Sequence, residues 1–161
     1  MDIVVRRARH VAHPRPVVFA FVTSSDAVGK AFVGAGPIPR ALRSSSKDGQ
    51  PLREGSVRVV ENADGTVVEE IIVALRAPER QAYRLVVLPP AFARLVDAPH
   101  GDWTFVDEGA GTRVTWTFTF PTRSALAVPV VWVLARFFGT AMQRCLDETA
   151  RQLDGASSTS A

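Results

Sequence analysis

The chain has 161 residues, 47% of them apolar and 22% charged, with a formal net charge of +3. That is the size and mix of one globular domain able to bury a core; with Cys145 the one cysteine, an internal disulfide framework is excluded. Seventeen of the 19 basic residues are arginine, and they are scattered rather than gathered into a stripe, which argues against a nucleic-acid partner.

In chain order, Asp2 to Val11 predicts a first strand, broken by His13-Pro-Arg-Pro because proline removes a ladder donor. Two short helices follow, the first over Val17 to Val22, the second over Ala27 to Val33 with Thr23 to Asp26 offering caps. Strand patterns then recur at Ile38–Ser46, Ser56–Glu61, Thr66–Arg76, Arg80–Leu88, Asp102–Asp107 and Thr112–Phe120. Asn62-Ala-Asp-Gly65 is a hairpin turn, since Asp-Gly tolerates the positive φ of tight turns. From Ser124 to Asp154 the period becomes helical. Val131, Leu134, Phe138, Met142, Cys145, Thr149 and Leu153 form an apolar stripe opposite a polar one. Gly155 is the expected stop, which leaves one domain over 1–154 and a disordered tail over 155–161.

The N-terminus lacks a signal-peptide pattern, because Arg6 and Arg7 interrupt the short run Ile3-Val4-Val5; the expectation is a cytoplasmic protein. Ala125 to Ala135 is apolar all round but shorter than the ~20 residues a bilayer crossing needs. No stable membrane insertion is expected, though this stretch is open to lipid or to a second copy in a homodimer.

Short connections imply an antiparallel meander, and the long helix is the one large cover for its inner face. The fold class is therefore α+β: about seven strands curved around a long C-terminal helix, with two short helices after the first strand. That order, with Asp48-Gly-Gln-Pro-Leu-Arg-Glu-Gly55, Pro78-Glu-Arg80 followed by Ala82-Tyr-Arg-Leu85, and Gly111-Thr-Arg-Val-Thr-Trp116, resembles the START-like (SRPBCC, helix-grip) superfamily. Its polyketide cyclase/dehydrase branch is the most similar. The resemblance covers residues 2 to 154. It implies a cavity between sheet and helix for lipids, polyketides or other apolar molecules, and members that are carriers, sensors, cyclases or dehydratases. The family often has a tryptophan after the second short helix; here Phe32 is the aromatic of that region.

Strand alternation selects the cavity wall. In Thr66–Arg76 the odd set Val67, Glu69, Ile71, Val73 and Leu75 is the more apolar, so it is expected inward, with Glu70 outside. Tyr83 and Leu85 are expected inward on the next strand. Trp103, Phe105, Trp116 and Phe118 complete the sheet side, and Leu134, Phe138 and Met142 the helix side. Glu69 and Tyr83 are the expected polar handles and, in an enzyme, the acid/base pair. His10, His13 and His100 have no metal-site spacing, Gly34-Ala-Gly36 lacks the rest of a dinucleotide fingerprint, and no cofactor is expected. His100 and Asp102 are alternative groups at the cavity mouth, and Cys145 reads as a small core residue. The functional expectation is carriage or sensing of a hydrophobic small molecule, with a cyclase or dehydratase acting in the same cavity as the alternative.

Overall fold

The computed structural model describes residues 1–159. The elements are β1 (Asp2–Val11), α1 (Arg15–Val22), α2 (Ala27–Ala31), β2 (Ala41–Ser46), β3 (Val57–Asn62), β4 (Val67–Arg76), β5 (Arg80–Val87), α3 (Pro90–Ala93), β6 (His100–Glu108), β7 (Gly111–Pro121) and α4 (Val128–Thr159). One 3-10 turn, Ala125–Ala127, leads into α4. The strands form one antiparallel sheet in the order β1-β7-β6-β5-β4-β3-β2. It is the curled sheet gripping a long C-terminal helix that the sequence predicts.

Local chemistry explains the elements. β7 alternates Val114, Trp116, Phe118 and Phe120, all buried, with half-exposed threonines, a period-2 pattern that holds one face on the core. The β3–β4 turn closes where expected, with Gly65 at φ +84° and the Asn62 amide donating to the Thr66 carbonyl. α4 packs on β1, where Gly139 permits close approach: a Cβ there would sit 3.1 Å from Val5 Cγ1 and nearer still to the Arg7 guanidinium.

Two expectations are corrected. The helix does not stop at Gly155 but runs to Thr159. Ser158 and Thr159 donate their hydroxyls back to the carbonyls of Asp154 and Gly155, four residues earlier, local bonds that hold these side chains against the last turn. Ser160 and Ala161 of the expected tail lie outside the described residues. The predicted loop after β5 contains α3, one turn started by Pro89 and Pro90.

The larger correction is in β4. Glu70 and Ile72 are buried, whereas Val67 and Val73 are exposed and Glu69 and Ile71 lie on the outer face. Glu69 pairs there with Lys47 at 3.0 Å. The even set is therefore inside. Register shifts between Glu69 and Glu70 and between Ile72 and Ala74 mark bulges; past the second, Leu75 turns back against the core. A bulge inserts a residue and swaps the faces of everything beyond it.

Candidate functional site

Between the sheet and α4 lies a cavity of about 300 Å³, at the lower end of ligand-site volumes. Its walls are apolar and aromatic. Phe138 on α4 is the hub: its ring lies 4.6 Å from that of Phe118, 5.4 Å from Phe120, and 5.9 Å from both Trp116 and Phe32. Trp116 stacks on Trp103 at 4.3 Å. Ile38 and Leu88 from the connecting loops and Phe92 of α3 complete the wall.

The polar groups converge from neighbouring strands. Arg58 on β3 faces Glu70 on β4 as a direct cross-strand pair. Both are buried, at 2% and 7% exposure, and Arg58 donates from Nε and Nη2 to Glu70 Oε2 at 2.9 and 2.6 Å. Both residues line the cavity, and Arg58 Nη1 has no partner among the described residues. A buried guanidinium cannot shed its charge, so the carboxylate neutralises it and the Nη1 amino group, itself buried, is left without a partner.

Tyr83 on β5 is the third polar group. The Trp116 indole, which can only donate, gives its N–H to the Tyr83 hydroxyl at 3.1 Å. Tyr83 is thereby an acceptor on the protein side, and its own proton is available to a ligand. Gly101 makes room for the ring, since a Cβ at that position would lie 2.3 Å from Tyr83 Cζ. Burial, reinforced by the Glu70 charge, holds the phenol well above its ordinary value of 10.0. It stays a proton donor across the neutral range.

Of the predicted wall, Tyr83, Leu85, Trp103, Trp116, Phe118, Leu134 and Phe138 line the cavity. Glu69, Ile71 and Val73 do not, because β4 presents its other face. Phe105 and Met142 are buried but belong to the solid core; Phe105 packs edge-on against Phe19 of α1 at 5.2 Å. Asp102 is held by Arg80 on the outer face, and His100 is exposed beside the Ala98 carbonyl. Neither borders the cavity. Among the described residues no cluster of three or more His, Cys, Asp or Glu side chains can hold a metal ion.

Sequence reasoning missed Arg58 and Glu70, although a signal existed. With Asn62 and Thr66 bonded across the turn, counting outward brings Arg58 opposite Glu70. An Arg–Glu pair meeting at one register position marks a shared face.

Cys145 also borders the cavity, and burial pushes its thiol from 9.0 up to about 12. A raised folded value means the neutral form is favoured by folding. Its contribution is complete below about pH 9 and is lost as pH rises through about 12. Melting temperature is therefore expected to fall steadily above pH 9, and Cys145→Ala should flatten part of that fall, as read by circular dichroism melts across pH 8–12.

Residues 2–154 match the family described as polyketide cyclase / dehydrase and lipid transport. No curated protein sequence matches the chain. Among solved structures, it is similar to the di-domain ARO/CYC BexL from the BE-7585A biosynthetic pathway, with a TM-score of 0.71 at 16% identity over 93% of this chain and 49% of that one. The chain thus spans about half the length of this relative. It is also similar to the major latex-like protein 151 of Panax ginseng, with a TM-score of 0.71 at 13% identity over 94% and 97% of the two chains. A norcoclaurine synthase point mutant from Thalictrum, solved with a transition-state analogue, gives 0.71 at 11% identity over 98% and 97%. At these identities the likeness is one of fold.

Proposed function

The chain belongs to the polyketide cyclase / dehydrase and lipid transport family, and from that premise we propose that it binds a hydrophobic small molecule in the cavity between sheet and α4. The observation that carries this reading is the combination of an aromatic cavity with the buried polar group of Arg58, Glu70 and Tyr83 on its wall. Such a site favours an apolar body with an acceptor oxygen at one end, such as a carbonyl, phenolate or carboxylate. An unpaired buried donor costs ~1–3 kcal/mol, and a ligand oxygen would recover part of that cost. Carriage or sensing in the cytoplasm suits a pocket whose buried carboxylate, Glu70, is already committed to Arg58.

The probe for this reading is anilinonaphthalene sulfonate, an apolar ring system with an anionic acceptor. Native protein should bind it with enhanced fluorescence. Leu134→Trp, which fills the cavity from a half-buried wall position, should abolish the enhancement while the fold survives by circular dichroism. Tyr83→Phe should weaken binding about 2- to 10-fold, the loss of one uncharged hydrogen bond. Equal dye binding by wild type and both variants would overturn the reading.

A second reading is a cyclase or dehydratase acting on a polyketide in the same cavity. One observation favours it: Tyr83 keeps a transferable proton at the wall that also carries Arg58. The expected partner acid/base Glu69 is outside, so Tyr83 would act with the Arg58–Glu70 pair. Loss of water from a poly-β-keto thioester, followed by mass spectrometry and abolished in Tyr83→Phe, would establish it.

A further inference from the structure

The outer face of α4 changes character halfway along. Leu126, just before the helix, and Val130, Val133 and Phe137 on it recur at spacings of four, three and four, with Trp132 beside them. All five are exposed, Leu126 at 90% and Trp132 at 53%. Beyond Thr140 the exposed positions of the helix become Arg144, Asp147 and Arg151. A helix that only needed to cover the sheet would carry polar residues on its outer face throughout. Ala125–Thr159 is also long and apolar enough to cross a membrane by length and composition, yet only a third of its most apolar window is buried.

The charged side chains on and beside the first half of α4 are mostly basic. No Asp or Glu occurs between Arg123 and Arg144, a stretch that contains Arg136. Arg136 lies over the Trp132 ring at 5.1 Å. Arg123 donates to the Ala93 and Val96 carbonyls, which brings the α3 loop and its exposed Arg94 alongside; Asp97, paired with Arg123 at 3.1 Å, is the acid nearby.

The face also adjoins residues that line the cavity. Phe137 packs against Gly36, where a Cβ would lie 2.5 Å from its ring, and the next residues, Pro37 and Ile38, line the cavity. Leu134 and Phe138, one position on from Val133 and Phe137, line it from the helix side.

We propose that this face docks peripherally on an anionic membrane surface, with Trp132 and its aliphatic neighbours entering the headgroup boundary and Arg94, Arg123 and Arg136 meeting lipid phosphates. Interfacial binding draws on both buried apolar area and attraction to anionic lipid, and tryptophan favours that boundary. A second copy of the chain is the poorer occupant. A two-fold contact would bring the Arg136 side chains together with no acid on the same stretch of helix to neutralise them. Docking would place the Pro37–Ile38 wall of the cavity beside the bilayer, a short path for an apolar ligand to pass between the two.

Tryptophan emission is a direct test, because Trp103 and Trp116 are buried and Trp132 is exposed. Full-length protein should co-sediment with vesicles of phosphatidylcholine and phosphatidylglycerol, about ten-fold more weakly with phosphatidylcholine alone, and release in high salt. Its emission should shift to the blue on binding, and Trp132→Phe should remove the shift. Val130→Asp combined with Val133→Asp should lower partitioning at least about ten-fold while dye binding in the cavity, measured without vesicles, is unchanged. Dye binding left unchanged by Leu134→Trp, with vesicle binding by wild type intact, would sink the ligand reading and leave this one standing; dye binding lost in Leu134→Trp with no vesicle binding by wild type would do the reverse. Absence of vesicle binding by wild type would overturn the proposal, as would equal binding by the double aspartate variant. A wild-type dimer that the aspartates dissociate, with no vesicle binding, would assign the face to a second copy instead.

Discussion

Glu70→Leu is expected to lower the free energy of unfolding by about 3–5 kcal/mol. The substitution leaves the Arg58 guanidinium 2% exposed, without the oxygen to which Nε and Nη2 now donate. An arginine cannot escape by losing its proton, so the folded state retains an uncompensated charge in a low-dielectric interior. Arg58→Met should cost less, because the carboxyl left behind can take up a proton. The double variant Arg58→Met with Glu70→Leu replaces a buried ion pair by apolar side chains and should recover most of the lost stability. Urea unfolding followed by circular dichroism reads all three. If Glu70→Leu costs less than about 1 kcal/mol, the pair does not close off the sheet side of the cavity as the geometry implies. The double variant serves a second purpose: it should fold yet bind anilinonaphthalene sulfonate more weakly, because the leftover donor on Arg58 is gone.

Removal of residues 124–161 is expected to abolish cooperative folding. On α4, Val131, Met142 and Leu146 are at most 1% exposed, and Ala135, Ala141 and Ala150 are buried with them. Each large side chain contributes roughly 1.5–3 kcal/mol on burial, against a net stability of about 5–15 kcal/mol for a domain. Deleting the helix also uncovers Trp116, Phe118 and Phe120, whose inner sides meet Phe138. Leu146→Ala alone should cost about 2–5 kcal/mol, a transfer loss plus a cavity. Removing only 155–161 should change stability by less than about 0.5 kcal/mol, since residues 155–159 are exposed. A monomeric, cooperatively melting protein lacking 124–161 would show that the sheet holds its core without the helix.

The register of β4 shows where sequence reasoning stops. Counting apolar side chains favoured the odd face, because Ile71 and Val73 look like core residues. In the structure Val73 is 50% exposed while Glu70 is buried. The apolar count treats each strand as if it chose its face alone, whereas β3 and its turn decide the matter by placing Arg58 opposite Glu70. An ion pair can occupy an inner face only when both partners arrive at one register position. Phe105 and Met142 illustrate a second limit. Both point inward as predicted, but whether an inward side chain touches cavity or solid core depends on what packs behind it. For Phe105 that is Phe19, 86 positions away in the chain.

What the sequence determined by itself was whatever depends on periodicity and local chemistry. The seven strands, the Asn62–Gly65 turn, the long amphipathic helix and the aromatic face of β7 each follow from neighbours a few residues apart. So does the inward placement of Tyr83, because its pairing with β6 is regular through the position. Tertiary structure decided the faces of β4 beyond Ile72, the meeting of Tyr83 with the Arg58–Glu70 pair at the cavity wall, and the exposure of the first half of α4. These depend on bulges, on pairing between strands, and on how far a sheet curls before a helix covers it. A bulge shifts every later side chain to the opposite face, and nothing in the period of a single strand records it.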